Sequence, residues 1–291
     1  MESPTSSSTF DRVVDLVPEL SQASERTVSV LSGGLTNTSY LVVTEDAQFV
    51  VRIGCDNAPT LGIDRVAEQE AITLAEEAGI APELLLFTQP EGHLVTRYLS
   101  GAHGFSVDEF VAPTVVARVA ALLRDVHGLG SVDRRFDPYA DIHRWMNLLR
   151  SRGASLPDRL GPLLPLVEET ERKLAHAPAP ESVLCHNDPY HLNFLDDGSL
   201  WLIDWEYAGM GDAMYDLAGI GYRLDSEGKD HLLTSYFGGV EPAAREHLEA
   251  LVPVYICWNA VWSLVEADDG MAGFDYVNLA SEFLDWLPYR S

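Results

Sequence analysis

The sequence predicts an α+β protein of two lobes, a small β-rich N-terminal lobe and a larger, mainly helical C-terminal lobe, with a cleft between them. The segments before Ser100 follow the order β-β-β-α-β-β, which holds too many strands for a helical domain. After Ser100-Gly101 the composition shifts, and long segments with apolar residues at helical spacing follow. We therefore divide the chain into a disordered tail (1–9), an N-terminal lobe (10–98) and a C-terminal lobe (99–291).

The N-terminal lobe is predicted to start with a helix, because apolar residues recur at helical spacing from Phe10 to Leu20 and Thr9 can cap them. A later amphipathic helix ends before Gly79, a residue that suits the position just after a helix. The strands and this second helix are predicted, in order, at 27–31, 39–44, 48–53, 64–77 (the helix), 83–87 and 93–98.

The C-terminal lobe is predicted to be helical except for one β-rich island over residues 182–207. The helices are predicted from apolar residues that recur every three or four positions. They span residues 111–127, 142–151, 164–174, 241–267 and 277–287.

Charge and composition exclude several classes of protein. The 291 residues include 45 acidic and 19 basic side chains, which gives a formal net charge of −26. A surface this negative repels phosphate backbones and anionic lipid headgroups, so we expect no nucleic-acid partner and no membrane partner. It is compatible with a cationic substrate. Hydrophobic residues make up 46% of the chain, which allows a sizeable core and excludes wholesale disorder.

The cysteines and the N-terminus indicate a cytoplasmic protein. Cys55, Cys185 and Cys257 lie far apart without CxxC spacing, which argues against a zinc site or a disulfide framework. No uninterrupted apolar run reaches the roughly 18 residues needed to span a bilayer. The first residues lack the basic and apolar regions of a signal peptide.

Lysine is rare, with only Lys173 and Lys229 among the basic residues. Surfaces rich in carboxylates and poor in lysine stay soluble in concentrated salt, where charge repulsion is screened over a few ångström. We therefore hypothesise a salt-adapted source. A GC-rich genome, which favours arginine codons over lysine codons, is the alternative, but it does not explain the excess of carboxylates.

The strongest chemical signal lies in the β-rich island, where Asp188 and Asn193 share one loop and Asp204 follows a short apolar strand. A carboxylate and an amide five residues apart can divide two tasks, since one can accept a hydroxyl proton while the other holds a divalent cation. A second carboxylate can bridge that cation from the other side. Hard oxygen ligands of this kind suit Mg²⁺ that also bridges nucleotide phosphates. The spacing is that of the protein-kinase catalytic loop and its metal-binding aspartate.

Taken singly, these residues have structural interpretations. Asp188 can cap a helix that begins near Tyr190, and His186 can be a hydrogen-bonded core histidine. The ordered set at this spacing favours the chemical interpretation.

The N-terminal lobe carries a second set of signals. Gly33 and Gly34 lie between two predicted strands, where glycine lets backbone amides approach phosphates, although hairpins use glycine turns as well. The strand 48–53 carries one cation, Arg52, where kinases place the lysine that holds nucleotide phosphates. Glu68 or Glu70 on the following helix can pair with it. A surface charge on an edge strand is the alternative for Arg52.

Together these motifs resemble the choline/ethanolamine kinase family, in its bacterial and archaeal branch. That family lies within the aminoglycoside-phosphotransferase-like group of the protein-kinase-like fold. The resemblance runs from about residue 28 to 285. It rests on Gly33-Gly34-Leu35-Thr36-Asn37, Val51-Arg52-Ile53, Ile63-Asp64-Arg65 with Glu68, Gly79-Ile80-Ala81-Pro82-Glu83, Leu184-Cys185-His186-Asn187-Asp188 with Asn193, and Ile203-Asp204-Trp205-Glu206-Tyr207-Ala208-Gly209 through Asp216-Leu217-Ala218. Arginine in place of lysine is typical of choline kinases, so Arg52 supports the resemblance.

The resemblance implies a role for each matching residue. Asp188 would be the catalytic base, and Asn193 and Asp204 would hold Mg²⁺. Arg52 would hold nucleotide phosphate and be oriented by Glu68; Glu70 is the rival, because related aminoglycoside kinases show a similar Glu-Ala pair.

The remaining implied positions concern ATP, the acceptor and the loop itself. The implied ATP contacts are Ser32, Gly33, Gly34, Thr36 and Asn37 in the phosphate loop, and Arg97, Tyr98 and Leu99 in the hinge near adenine. Glu206 would line the acceptor site. Asp216 would hold the catalytic region in place, and His186 would be structural as well.

The acceptor pocket is expected in the helical C-terminus. A quaternary ammonium binds well among aromatic rings, at ~0.5–2 kcal/mol per ring. Trp262 is the first candidate, because Trp262-Ser263-Leu264-Val265 resembles a family segment, and Trp258 and Tyr276 are further candidates. Core packing is the alternative for aromatic residues three or four apart. Two positions depart from the family pattern, Asn259 in place of a frequent tryptophan and Leu279 in place of a usual aromatic residue.

The resemblance implies an ATP-dependent, Mg²⁺-requiring phosphotransferase that acts on the hydroxyl of a small amino alcohol, choline first and ethanolamine second. Two alternatives stay open. One is a kinase for another hydroxylated metabolite, such as thiamine, an aminoglycoside or a sugar. The other is a pseudokinase that binds nucleotide without turnover, against which stands the presence of Asp188, Asn193 and Asp204. The expected partners are ATP and a small cationic alcohol, with the chain a monomer or a homodimer.

Overall fold

The computed structural model describes residues 4–177, 180–270 and 273–287. Its N-terminal part forms the predicted sheet with helices around it. The elements are α1 (Pro4–Asp15), α2 (Pro18–Ser21), β1 (Arg26–Val30), β2 (Thr38–Thr44), β3 (Gln48–Ile53), α3 (Ala58–Leu61), α4 (Arg65–Glu77), β4 (Leu84–Phe87) and β5 (Leu94–Arg97).

The five strands form one antiparallel sheet in the order β1-β2-β3-β5-β4. Helix α1 packs on this sheet, because its apolar residues Val13 and Val14 are buried with Val42 and Phe49 in a small separate core. Helix α4 is capped by Asp64, whose carboxylate accepts two backbone N–H bonds. It buries its inner side chains in the larger core that continues into the helical lobe.

The N-terminus differs from the sequence prediction in two ways. Helix α1 begins at Pro4, so the tail predicted to be disordered over residues 1–9 is wrong from residue 4 onward, and residues 1–3 lie outside the described part. Proline is favoured in the first turn of a helix, which suits this start. The single helix expected from Phe10 to Leu20 is divided before Pro18, because proline cannot donate the hydrogen bond that would continue α1.

The C-terminal part is mainly helical. Three of its short strands lie in the predicted β-rich island, one directly follows the island, and one lies near the start of the lobe. Its elements are β6 (His103–Gly104), α5 (Val107–Phe110), α6 (Pro113–Val126), α7 (Pro138–Arg152), α8 (Leu160–His176), β7 (Ser182–Cys185), a 3₁₀ helix (His191–Asn193), β8 (Phe194–Asp196), β9 (Leu200–Leu202), β10 (Gly209–Asp212), α9 (Ala213–Gly221), α10 (Ser226–Phe237), α11 (Pro242–Asp269) and α12 (Tyr276–Asp285). The two-lobed α+β fold is thus confirmed.

Two short sheets fix the loops between these strands. Strands β7 and β10 pair antiparallel, and β8 lies between β6 and β9. The chain between β7 and β10 therefore returns to its starting point, and it carries the loop with Asp188 and the turn with Asp204.

Helix α11 is the central helix of this lobe and packs against α7, α8, α9 and α12. In the described part of the chain it is the one helix that is long and apolar enough to span a membrane by composition, with a mean hydropathy of 1.5 over 18 residues. However, 83% of that window is buried inside the protein. The apolar character of α11 is therefore accounted for by its place in the core.

Candidate active site

The loop after β7 is held by a buried carboxylate on α9. Asp216 accepts the backbone N–H groups of His186 at 2.8 Å and Asn187 at 2.7 Å, and its Oδ2 lies 3.0 Å from Nε2 of His127. Asn187 adopts a left-handed backbone with φ of 66°, and its side-chain amide donates to the carbonyl of Tyr207. These contacts fix the direction in which the next residue, Asp188, leaves the loop.

Asp188 and Asn193 lie side by side in the structure, as the spacing predicted. The Nδ2 of Asn193 donates to the backbone oxygen of Asp188 at 2.9 Å and to its Oδ2 at 3.0 Å. Burial raises the pKa of the Asp188 carboxyl to about 7, although the hydrogen bond from Asn193 opposes the rise. A carboxyl with a pKa near 7 is suited to accept a proton at neutral pH.

Asp204 lies in the same site as Asp188 and Asn193 but comes from a different segment of the chain. It follows β9 with a left-handed backbone, φ 67°, and its side chain keeps 40% of its surface exposed to the cleft. The preceding residue, Ile203, joins the two segments, because its N–H donates to the carbonyl of Asn193 at 2.9 Å and its carbonyl lies 3.0 Å from Nε2 of His186. His186 is fully buried against Trp205, as its structural assignment expected.

A buried ion cluster joins β3 and α4 to this site. Arg52 forms a close ion pair with Glu68 and extends its other terminal nitrogen to within 3.4 Å of Asp204. Arg65 bridges Glu68 at 2.6 Å and Glu206 at 2.5 Å. Thus Glu68, not Glu70, pairs with Arg52; the carboxylate of Glu70 accepts the backbone N–H of Asp133 instead.

The charged groups of this cluster shift one another's pKa values. Burial raises the pKa of Glu206, but attraction to Arg52 and Arg65 outweighs it, so the pKa is lowered. Burial and the neighbouring Glu206 raise the pKa of Asp204. Burial alone would lower the pKa of Arg52, and the surrounding carboxylates reverse this effect. Both arginines therefore stay charged beside Glu68, Asp204 and Glu206.

The glycine-rich turn lies over the same cavity, which Gly33, Leu35 and Thr36 line. Gly33 has φ of 107°, a conformation that favours glycine, and a Cβ on Gly34 would lie 2.7 Å from the carbonyl oxygen of Asn37. Ser32 and Gly34 are exposed and do not line the cavity.

Asn37 was expected to contact ATP, but its side chain is buried. Its Nδ2 donates to Glu206 at 2.8 Å, and its Oδ1 accepts the N–H of Cys55 at 3.0 Å. The side chain thus anchors the turn to the ion cluster instead of facing the cavity.

The segment 97–99 lies where the sheet meets the helical lobe. The guanidinium of Arg97 contacts Glu19 at 2.6 Å and Glu83 at 2.9 Å, and it covers the ring of Phe49. Its side chain is therefore held by contacts with the sheet and with α2. The N–H of Tyr98 donates to the carbonyl of Gln48 at 2.9 Å, and Tyr98 and Leu99 are half-buried. A nucleotide contact of Arg97 would have to use its backbone.

The aromatic candidates occupy different positions around the cavity. Trp262 lines it and donates its indole N–H to the hydroxyl of Tyr207 at 2.7 Å. Trp258 also lines it but is only 1% exposed, with its indole N–H donated to Asp141. Tyr276 does not line the cavity; it packs against Trp262 and donates its hydroxyl to the carbonyl of Leu35, which ties α12 to the glycine turn.

The sequence prediction gave no site role to several wall residues, among them Tyr207, Phe283 and Leu192. Tyr207 directly follows Glu206, and Phe283 lies one helical turn after Leu279 on α12. Each of these two is thus adjacent to a residue already singled out. Among the described residues, the wall consists of Gly33, Leu35, Thr36, Asp188, Tyr190, Leu192, Asn193, Asp204, Glu206, Tyr207, Trp258, Asn259, Trp262, Leu279 and Phe283.

A carboxylate with a raised pKa, a second carboxylate beside a buried arginine, and a glycine turn above them are the features of a phosphotransferase of the protein-kinase-like fold. Comparison with known proteins agrees. The model of the phosphotransferase enzyme family matches residues 27–251. The chain therefore belongs to the phosphotransferase enzyme family.

Its relatives and structural neighbours include choline/ethanolamine kinases. Protein LicA of Haemophilus influenzae is 28% identical over 277 residues, which cover 88% of this chain and 79% of LicA. The crystal structure of a choline/ethanolamine kinase family protein from Mesorhizobium loti has a TM-score of 0.78 at 29% identity and covers 94% of this chain and 92% of that one. The choline kinase LicA from Streptococcus pneumoniae has a TM-score of 0.78 at 23% identity and covers 96% and 100%. The predicted resemblance is confirmed.

Proposed function

We propose that this phosphotransferase transfers the γ-phosphoryl group of ATP to the hydroxyl of a small amino alcohol, with choline and ethanolamine as the candidate acceptors. One observation carries the proposal. A single cavity is lined both by Asp188, Asn193 and Asp204 and by the aromatic side chains of Tyr207, Trp258 and Trp262. The first group has the chemistry of phosphoryl transfer, and the second suits an organic cation.

Asp188 is the proposed proton acceptor. It lies at the cavity wall, held by the Asn193 amide and by the loop that Asp216 fixes. When the acceptor hydroxyl attacks phosphorus, its oxygen becomes more acidic, and a carboxylate within hydrogen-bond reach orients the hydroxyl and takes the proton. A pKa of about 7 leaves a substantial fraction of Asp188 ionised at neutral pH.

The residues present fit a magnesium ion. Because the Nδ2 of Asn193 donates to Asp188, the Oδ1 of the same amide is left as an oxygen ligand, and Asp204 adds an exposed carboxylate. Two such oxygens match the hard-ligand preference of Mg²⁺, with the remaining positions for phosphate and water. The ion would neutralise charge on the phosphates, while Arg52, fixed by Glu68, supplies a permanent cation on the same side.

The acceptor end of the cavity favours a cation. Aromatic faces attract ammonium groups, and Glu206 and Asp188 place negative charge nearby. The strongly acidic chain adds a long-range attraction for cations at low ionic strength.

The proposal is tested by measuring ATP-dependent ADP release with Mg²⁺ on choline, ethanolamine, thiamine, an aminoglycoside and several sugars. We expect turnover of an amino alcohol and a fall of about 10²–10⁴-fold in kcat for Asp188→Asn, because the variant cannot accept the proton. Asp108→Asn, which changes an exposed aspartate on α5, is the matched control and should retain activity. Turnover confined to thiamine, an aminoglycoside or a sugar would refute the amino alcohol assignment.

A further inference from the structure

The acceptor cavity contains one uncharged amide from the central helix, Asn259. Asn259 lines the cavity between Trp258 and Trp262 on α11 and is 5% exposed. Its Nδ2 donates to the carbonyl oxygen of Tyr255 at 3.0 Å. Because a backbone carbonyl only accepts hydrogen bonds, this contact fixes which end of the amide is nitrogen.

The other end of that amide, Oδ1, is therefore the group available to the cavity. It has no hydrogen-bond partner among the residues that the structure describes. Oδ1 is not among the fully buried polar atoms that lack a partner, so it is accessible to solvent in the cavity. A ligand that covers it without donating an N–H leaves a desolvated, unpaired carbonyl oxygen, which is unfavourable, whereas a ligand N–H that reaches it avoids this cost. Aromatic rings surround this amide, because Trp258 and Trp262 flank it on α11 and Tyr207 contacts both of them.

Ethanolamine and choline, the two candidate substrates, differ in the hydrogen-bond donors of their ammonium groups. Protonated ethanolamine carries three N–H donors, whereas the ammonium of choline carries three methyl groups and no donor. A quaternary ammonium gains from the aromatic faces but leaves Oδ1 of Asn259 desolvated and unpaired. A site with a fixed hydrogen-bond acceptor discriminates strongly against an analogue that lacks the donor.

We propose that Asn259 accepts a hydrogen bond from the ammonium of the acceptor and makes this enzyme select amino alcohols that keep at least one N–H over quaternary ones. This inference rests on the proposed function and reverses, for this chain, the order of acceptors that the sequence resemblance implied.

The test is the series ethanolamine, N-methylethanolamine, N,N-dimethylethanolamine and choline, with kcat/KM measured for each. Only the last methylation removes the final N–H, so we expect the largest step, at least about tenfold, between N,N-dimethylethanolamine and choline. A gradual trend caused by size or hydration would instead spread over all three methylations. The series needs only the native protein, so it tests the inference even where a variant does not fold.

Asn259→Leu keeps the branched shape and the number of heavy atoms of the side chain and removes the hydrogen-bond acceptor. In this variant we expect the kcat/KM values for N,N-dimethylethanolamine and choline to differ by no more than about threefold, because choline gains relative to N,N-dimethylethanolamine. The control is Asn147→Leu, an exposed position on α7, which should leave the step unchanged.

Two outcomes would overturn the inference while amino alcohol phosphorylation stands. The first is that the native enzyme turns over choline as efficiently as N,N-dimethylethanolamine. The second is that Asn259→Leu retains in full the fall in kcat/KM between N,N-dimethylethanolamine and choline. Absence of turnover for all four amino alcohols would refute the proposed function itself, and the inference with it.

Discussion

Arg52 shows why this site uses arginine where kinases commonly use lysine. Its guanidinium contacts Glu68 and the carbonyl of Gly92 through one terminal nitrogen and approaches Asp204 with the other. A lysine ammonium is a single point on a flexible stem and cannot reproduce this fork. The guanidinium is therefore held by the N-terminal lobe while it projects toward the site in the other lobe.

We predict that Arg52→Lys retains the fold and loses nucleotide affinity. The variant keeps one positive charge beside Glu68, which avoids an unpaired buried carboxylate, but it lacks the second nitrogen that reaches toward Asp204. The expected result is a rise of about tenfold in KM for ATP, with less change in KM for the acceptor. Steady-state kinetics with ATP varied measure this. Arg118→Lys, at an exposed pair with Asp196, is the control, and an unchanged KM for ATP in Arg52→Lys would contradict the prediction.

The sequence predicted the meeting of Asp188, Asn193 and Asp204 better than the walls around them. Asp188, Asn193 and Asp204 lie on one loop and one strand end, so local spacing determines their meeting. Trp258 was proposed for the pocket from helical spacing and Tyr276 as a further aromatic residue near the C-terminus. Neither signal tells a cavity wall from a core contact. The structure gives Trp258 an indole bond to Asp141 and places Tyr276 outside the cavity.

Among the elements, the strongly periodic ones were predicted nearly to the residue. Strand β3 was predicted at its observed bounds, and α4 was predicted one residue early, because Asp64 is its N-cap. Helices α9 and α10 were not predicted. Helix α9 is buried along its length, so it shows no polar face, and α10 is largely polar, with Gly228 in its first turn.

The C-terminal end of α11 forms a direct contact with the N-terminal lobe. Glu266 is 1% exposed, and its Oε1 accepts a hydrogen bond from Asn57 at 2.6 Å, just before α3. Burial, with smaller contributions from Asp269 and Glu206, raises the pKa of Glu266 to about 7. The same helix thus carries Asn259 and Trp262 at the cavity and a titratable link between the lobes.

This link predicts a pH-dependent stability. The pKa of Glu266 is higher in the folded protein than its ordinary value of 4.5, so the folded state binds the proton more tightly. The resulting stabilisation is complete below about pH 4.5 and is lost as the pH rises through about 7. Glu266→Gln keeps an oxygen for Asn57 and removes the titration. We expect its Tm to match the native Tm near pH 5 and to exceed it by several degrees at pH 8, for a difference of up to about 3 kcal/mol.

Differential scanning calorimetry at both pH values measures this difference. Glu246→Gln, an exposed position on the same helix, is the control and should shift Tm equally at pH 5 and pH 8. A Glu266→Gln variant less stable than the native protein at pH 8 would show that the carboxylate is stabilising in its charged form.

For the whole molecule, the dominant property is its charge. Few carboxylates of the described chain are buried, and these are Glu68, Asp141, Glu206, Asp216 and Glu266. The other described carboxylates lie at least partly in solvent, where arginine pairs such as Arg97 with Glu19 and Arg152 with Asp269 neutralise only some of them. The net charge of −26 therefore resides mainly on the surface and opposes the compact state through self-repulsion.

Because repulsion among surface carboxylates opposes the compact state, we predict that concentrated KCl stabilises the protein and sustains its activity. Screening at molar ionic strength acts over about 3 Å, which removes the long-range repulsion among surface carboxylates, while exposed ion pairs lose little because each contributes little. Tm should rise by about 5 °C or more between 0.1 and 2 M KCl, and turnover should persist there. Sucrose at equal osmolality is the control, because it is excluded from the protein surface but screens no charge. A Tm and an activity that are both highest below about 0.2 M salt would show that the acidic surface is not a salt adaptation.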